Sequence, residues 1–267
     1  MKLSISNIAW STNEDNEISE ILNEFNVTGI EVAPTKVYHE PENVNDSILQ
    51  EYLNYWTNKN KKIIAMQSLL FNKSQLSIFG ETNKQTLSYL KSIIFMGSRL
   101  SATSLVFGSP KNRFIGNNDP IEARREAITF FKDLGDIAKT YGISICIEAN
   151  PVQYGCDFIT STLEALQFVK DIDHQAIKLQ IDTGTMIINQ ENPYETLKAC
   201  LPFIGHFHIS EPYLELIGKN DHSEISYALK KLNYDGWVSI EMKNNLTSDN
   251  LLSLRQALGY VTQTYLN

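Results

Sequence analysis

Cysteine is scarce in this chain: Cys146, Cys156 and Cys200 are an odd number without Cys-x-x-Cys spacing. They read as reduced thiols in a reducing compartment, not as a disulfide framework. No apolar run approaches the ~18 residues expected of a membrane span. The opening Met1-Lys-Leu-Ser-Ile-Ser-Asn7 lacks the apolar stretch and cleavage site of a signal peptide, so a cytoplasmic location is expected. Bases are outnumbered, with 23 Lys and Arg against 31 Asp and Glu and a net charge of −8. That balance argues against nucleic acid as a partner, because such binders usually present a basic face. No glycine-rich phosphate fingerprint follows an early strand-like run, which weakens a nucleotide-binding fold. No low-complexity linker divides the chain.

What is present is regular alternation. Strand-like runs occupy 2–9, 28–34, 63–69, 103–109, 144–150, 177–184, 204–211 and 237–243. Segments with helical periodicity lie between them, at 14–26, 46–60, 82–97, 121–141, 160–172, 193–201, 221–233 and 249–265. Asp119-Pro120 and Asn192-Pro193 are suited to helix starts, since proline fits the first turn. Eight strand–helix units imply a parallel α/β sheet, either doubly wound or closed. A single (β/α)8 TIM barrel over residues 1–267 is the preferred reading, because such barrels need ~250 residues.

Four of the strands carry an unusual pattern. Ser144-Ile-Cys-Ile-Glu148, Lys178-Leu-Gln-Ile-Asp182, His206-Phe-His208 and Trp237-Val-Ser-Ile-Glu241 each place one potential metal ligand near the C-terminal end. Alternation puts Glu148, Asp182, His208 and Glu241 on one polar face with Cys146, Gln180, His206 and Ser239. Parallel strands are normally apolar on both faces, so this repeated exception points to a shared polar centre. Three converging carboxylates would raise each other's pKa unless a cation sat among them. Barrel chemistry is located at these same strand ends. Other readings exist for each residue: a strand-end charge for Glu148 and Glu241, a turn cap for Asp182, a core histidine for His208 or His206.

The motifs Ile147-Glu148-Ala149-Asn150-Pro151, Ile181-Asp182-Thr183-Gly184, His206-Phe-His208-Ile-Ser-Glu211 and Tyr234-Asp-Gly-Trp-Val-Ser-Ile-Glu241, in this order, resemble the xylose isomerase-like barrel superfamily, in its sugar (phosphate) isomerase/epimerase branch. The resemblance implies one divalent ion held by Glu148, Asp182, His208 and Glu241, with Glu148 and Glu241 also acting as the acid–base pair. An oxygen-rich set with one imidazole suits Mn²⁺, Mg²⁺ or Co²⁺, and zinc fits as well. The implied partner is a small sugar or sugar derivative, and a homo-oligomer is common in the group. Two departures stand out. Relatives carry Asp-x-x-His where this chain has Asp182-Thr-Gly-Thr185, and Glu211, Tyr213 and Glu215 occupy the loop where some epimerases place an arginine.

Further residues are expected near the barrel mouth. Lys111 and Arg113, after a glycine-opened strand end, are candidates to hold a substrate phosphate or carboxylate. Gln67 and Glu31 are candidates for sugar hydroxyls or for support of the ligands. Trp10 and Phe71 are candidate apolar walls, and the loop 70–81 is a candidate lid. Glu211 is a candidate partner for the free nitrogen of His208. His222 is a candidate substrate contact, although Asp221-His-Ser-Glu224 also reads as a capping box. The expected function is a metal-dependent sugar isomerase or epimerase. The alternatives are a dehydratase or lyase of a cyclic polyol or related acid, and a non-catalytic carbohydrate-binding barrel.

Overall fold

Short runs of β-branched and aliphatic residues form the strands, and helices return the chain between them. The computed structural model describes residues 1–267. Its strands are β1 (Lys2–Ser6), β2 (Gly29–Val32), β3 (Lys62–Met66), β4 (Ser104–Phe107), β5 (Ser144–Glu148), β6 (Ile177–Asp182), β7 (Ile204–Ser210) and β8 (Trp237–Glu241). Neighbours pair in parallel in chain order, and β8 pairs with β1 to close the barrel. That closure excludes the doubly wound sheet. The helices are α1 (Asp15–Glu24), α2 (Pro34–Val37), α3 (Asp46–Asn58), α4 (Asn83–Arg99), α5 (Pro120–Thr140), α6 (Thr162–Ile172), α7 (Thr183–Ile188), α8 (Pro193–Cys200), α9 (Ser223–Lys231) and α10 (Asn250–Val261). None is long and apolar enough to cross a membrane.

All eight expected strands form, yet each stops one to three residues before its expected C-terminal bound. The reason is that these ends leave the ladder to build the mouth. Asn7–Ala9 coils into a 3-10 turn after β1, and Thr183 starts α7 directly after β6. The two proline-marked helix starts occur as expected: Asp119 caps α5 through the amides of Ile121 and Glu122, and Asn192 caps α8 through Glu195. The short α2 and α7 have no counterpart in the periodicity, because so few residues cannot show a helical stripe.

The apolar face of the strands packs outward against the helices. Ile5, Ile30, Ile147, Leu179, Ile181, Phe207, Ile209, Val238 and Ile240 are all buried there. Trp10 belongs to this core and not to a pocket wall: it is fully buried, donates from its indole to Asp15 at 2.6 Å and meets Trp56 edge-on.

The ladder is irregular at one place that matters for the interior. On β6 and β7, Leu179 pairs with Ile204 but Gln180 pairs with His206, so Gly205 is an extra residue. From that bulge onward Asp182 lies beside His208. A side chain at Gly205 would place its Cβ 2.6 Å from Lys178 Cβ and 2.7 Å from Cys146 Sγ. Gly205→Ala is therefore expected to lower the unfolding free energy by about 1–3 kcal/mol, read from urea denaturation; an unchanged midpoint would show that the bulge does not require glycine.

Candidate metal centre

Four strand ends deliver Glu148, Asp182, His208 and Glu241 to the floor of a cleft at the barrel mouth. Their nearest ligand atoms all lie within 4.8 Å of one another. His208 Nδ1 is 3.0 Å from Glu241 Oε2 and 3.3 Å from Glu148 Oε1, without the alignment of a hydrogen bond to either. Its Nε2 points the other way, 3.0 and 3.1 Å from the carboxylate oxygens of Glu31. A proton on Nε2, held by Glu31, leaves Nδ1 as the nitrogen that faces the carboxylates and that could ligate an ion among them.

Two of the carboxylates are held by groups at the strand ends. Asp182 accepts the Thr185 amide at 2.6 Å and the Ser210 hydroxyl, so it caps α7 while facing the centre. The cap and ligand readings of Asp182 are thus compatible. Glu148 Oε2 accepts from the Asn150 amide at 3.1 Å. Opposite it, Gly108 leaves room, since a Cβ there would sit 2.4 Å from Glu148 Oε2.

The charge balance is strained towards protons. Burial, then the negative charges of Glu148 and Glu241, push Asp182 up to about 7, against the opposing pull of His208 and Ser210. Burial likewise raises Glu241 despite the neighbouring His208. Burial alone would lower His208, but the carboxylates of Glu31 and Glu241 outweigh it and raise it well above the usual histidine range. Two carboxylates that hold protons this tightly, Asp182 and Glu241, mark a site with excess negative charge. The donor set, three carboxylates and one unbonded imidazole nitrogen, fits a hard divalent cation.

The cleft over these residues has a volume of about 410 Å³. Gln67 lines it, with its amide donating to Ser6 at 2.8 Å. The other expected contacts fall elsewhere. Arg113 is fully buried and turned into the barrel wall, donating to the Glu148 carbonyl at 2.7 Å, so no guanidinium faces the cleft. Lys111 lines an adjacent cavity instead. His222 is fully buried behind the mouth, with Nδ1 2.7 Å from the Tyr265 hydroxyl and Nε2 3.3 Å from Glu211. Glu211 consequently serves that cluster, also accepting from the amides of Gly218 and Asn220, and Glu31 takes the role expected of it beside His208. The capping signal at Asp221 is real in part: its carboxylate accepts the Ser223 amide at 2.9 Å. The 70–81 loop is tied to the mouth in this conformation by Asn112, whose Nδ2 donates to the carbonyls of Lys73 and Leu76.

Among the lining residues that sequence reasoning did not single out, Asn150 and Lys243 each sit two positions beyond a candidate ligand, Glu148 or Glu241. Extending strand alternation by one step past Glu148 and Glu241 would have found both.

The sequence model of the xylose isomerase-like TIM barrel family matches residues 20–263. The chain is 31% identical to D-psicose 3-epimerase of Agrobacterium fabrum over 110 residues, 40% of this chain and 38% of that relative. It spans less than half the length of the curated relatives it matches. In shape it is similar to a D-psicose 3-epimerase solved in the presence of D-fructose, with a TM-score of 0.81, 20% identity and complete coverage of both chains. It is equally similar in shape to 3-keto-D-glucoside 4-epimerase from E. coli, with a TM-score of 0.81, 15% identity, and coverage of 98% of this chain and 99% of that one. At such identities these structural likenesses establish the fold.

Arg113→Met would keep much of the side-chain volume but leave the Glu148 carbonyl without its charged donor. A loss of about 1.5–3 kcal/mol in urea denaturation is expected; an unaffected protein would mean that this bond does not fix the end of β5.

Proposed function

Because this chain belongs to the xylose isomerase-like TIM barrel family, we propose that it is a divalent-metal-dependent epimerase or isomerase of a small sugar or sugar derivative. The observation that carries this reading is the convergence of Glu148, Asp182, His208 and Glu241, with His208 turned by Glu31 so that Nδ1 faces the carboxylates. Those four side chains would hold the ion. Bound there, it would polarise a sugar carbonyl and stabilise the negative charge that develops when a neighbouring proton leaves.

The chain's own groups account for the rest. Glu148 and Glu241 come from strands three apart around the barrel, so their carboxylates approach the cleft from different sides. One removes a proton from carbon, and the other delivers a proton from the opposite face, which inverts the centre. Transfer to the adjacent carbon gives isomerisation instead. Burial of Glu241 raises its pKa, which favours its holding a proton to donate. Gln67 and Lys243 supply donors for hydroxyl groups along the cleft, and Asn150, whose Nδ2 is committed to Glu148 and the Ala149 carbonyl, supplies its unpartnered Oδ1 as an acceptor. The relatives support the substrate class, since D-psicose and L-ribulose 3-epimerases are among them.

Elemental analysis should find about one divalent ion per chain after incubation with Mn²⁺, Mg²⁺, Co²⁺ or Zn²⁺, lost in Glu148→Gln/Glu241→Gln. The metal-loaded protein, given ketoses and aldoses in D2O, should form an isomer carrying solvent deuterium, and each single glutamine variant should slow exchange by about 10²–10⁴-fold. Failure to bind any of these ions would remove the mechanism. A product lighter by one water would make the protein a dehydratase.

A further inference from the structure

A second cavity, of about 570 Å³, lies beside the cleft of about 410 Å³ that covers the candidate metal centre. The two share Ser68, Ser109 and Pro110 as a common wall. The cleft is by itself of ordinary size for a small-molecule site. A lone monosaccharide held there would leave the larger neighbour unused.

The chemistry of that neighbour is specific. Ser68, Ser74 and Ser109 offer hydroxyls, Asn72 offers an amide, and Lys111 is its one cation, with no carboxylate in the lining. With Arg113 committed to the Glu148 carbonyl, the pair of cations that would hold a phosphate is not assembled. Phe71, although a large apolar residue, is 60% exposed at the edge of the cavity. A flat aromatic face with hydroxyl and amide groups around it suits a pyranose ring, which is apolar on its C–H faces and polar at its rim.

The cavity wall is also built to keep its shape. Ser68, Asn72 and Ser109 have φ of 55°, 60° and 44°, the left-handed region that residues other than glycine seldom enter. Three such residues around one cavity mark a backbone conformation that its surroundings enforce. The enforcement is visible: Phe71 donates its amide to the Ser68 carbonyl at 3.0 Å, and Asn112 ties the loop through the carbonyls of Lys73 and Leu76. A wall set in advance lowers the ordering cost of binding.

We propose that this cavity is a subsite for a neutral glycosyl group, and that the substrate is a keto sugar carrying a second sugar, with its reacting carbons over the metal centre. This rests on the epimerase or isomerase reading above and narrows its substrate class. Phe71 stacks on the second ring, and the serine and asparagine side chains bond its hydroxyls.

Equilibrium binding to the Mn²⁺-loaded chain tests the proposal with four probes: D-fructose, lactulose and isomaltulose (fructose glycosylated on O4 or O6) and D-fructose 6-phosphate. At least one disaccharide should bind about tenfold more tightly than D-fructose. Phe71→Ala should reduce that ratio by about fivefold, with little effect on folding because the side chain is so exposed. No preference for either disaccharide overturns the subsite, as does tightest binding of the phosphate with its loss in Lys111→Ala. Deuterium exchange with the same probes separates this proposal from its parent. Disaccharide preference without exchange of any probe keeps the subsite and removes the epimerase reading. Exchange of D-fructose without disaccharide preference removes the subsite alone.

Discussion

A carboxylate sealed inside the barrel, that of Glu31, is the interaction on which the site depends. Moving a charge out of water costs several kcal/mol unless partners compensate it. Glu31 has no exposure, and its compensation is local: His208 Nε2 at 3.0 and 3.1 Å, the Ser239 hydroxyl at 2.6 Å and His206 Nε2 at 3.3 Å. Burial would raise its pKa, but the two imidazoles overcome that and hold it well below the usual range. An ionised Glu31 in turn fixes the proton of His208 on Nε2. Nδ1 then faces the three carboxylates above, where its lone pair would serve an ion in place of a proton, and a ring flip would cost the bonds below.

The bonds of Glu31 to His208 and Ser239 join β2, β7 and β8 through the barrel interior, while the candidate ligands Glu148 and Asp182 arrive on β5 and β6. The bulge at Gly205 sets how far β7 slides against β6, and so decides that Asp182 and His208 are neighbours. Rigid strands therefore set the ligands, whereas the loops beyond them set what can enter. Arg113 ties the two levels together, because one guanidinium from the mouth loop bonds the backbone of Glu148.

The four converging side chains were legible in the sequence because they rest on period-two alternation, which survives whatever packs around it, and the barrel was legible from eight strand–helix units in a chain of the right length. Alternation puts His206 and His208 on one face, and position near the strand end with the family resemblance favoured His208; the structure puts both inside with His208 at the mouth end. The contacts that were misread all depend on direction after a strand ends. Arg113 turns inward to a carbonyl, His222 joins Glu211 and Tyr265, and Trp10 enters the core. No periodicity governs such turns. Glu31 was visible as a strand-end polar residue, but its pairing with His208 spans 177 positions and rests on barrel closure, which a local pattern does not encode.

We propose that Glu31 holds His208 so that Nδ1, together with Glu148, Asp182 and Glu241, would receive one divalent ion. Anomalous diffraction from crystals grown with Mn²⁺ tests it most directly. A single strong peak is expected among those three carboxylates and on the Nδ1 side of His208. A peak on the Nε2 side, between His208, His206 and Glu31, or no peak within the barrel mouth, would contradict it.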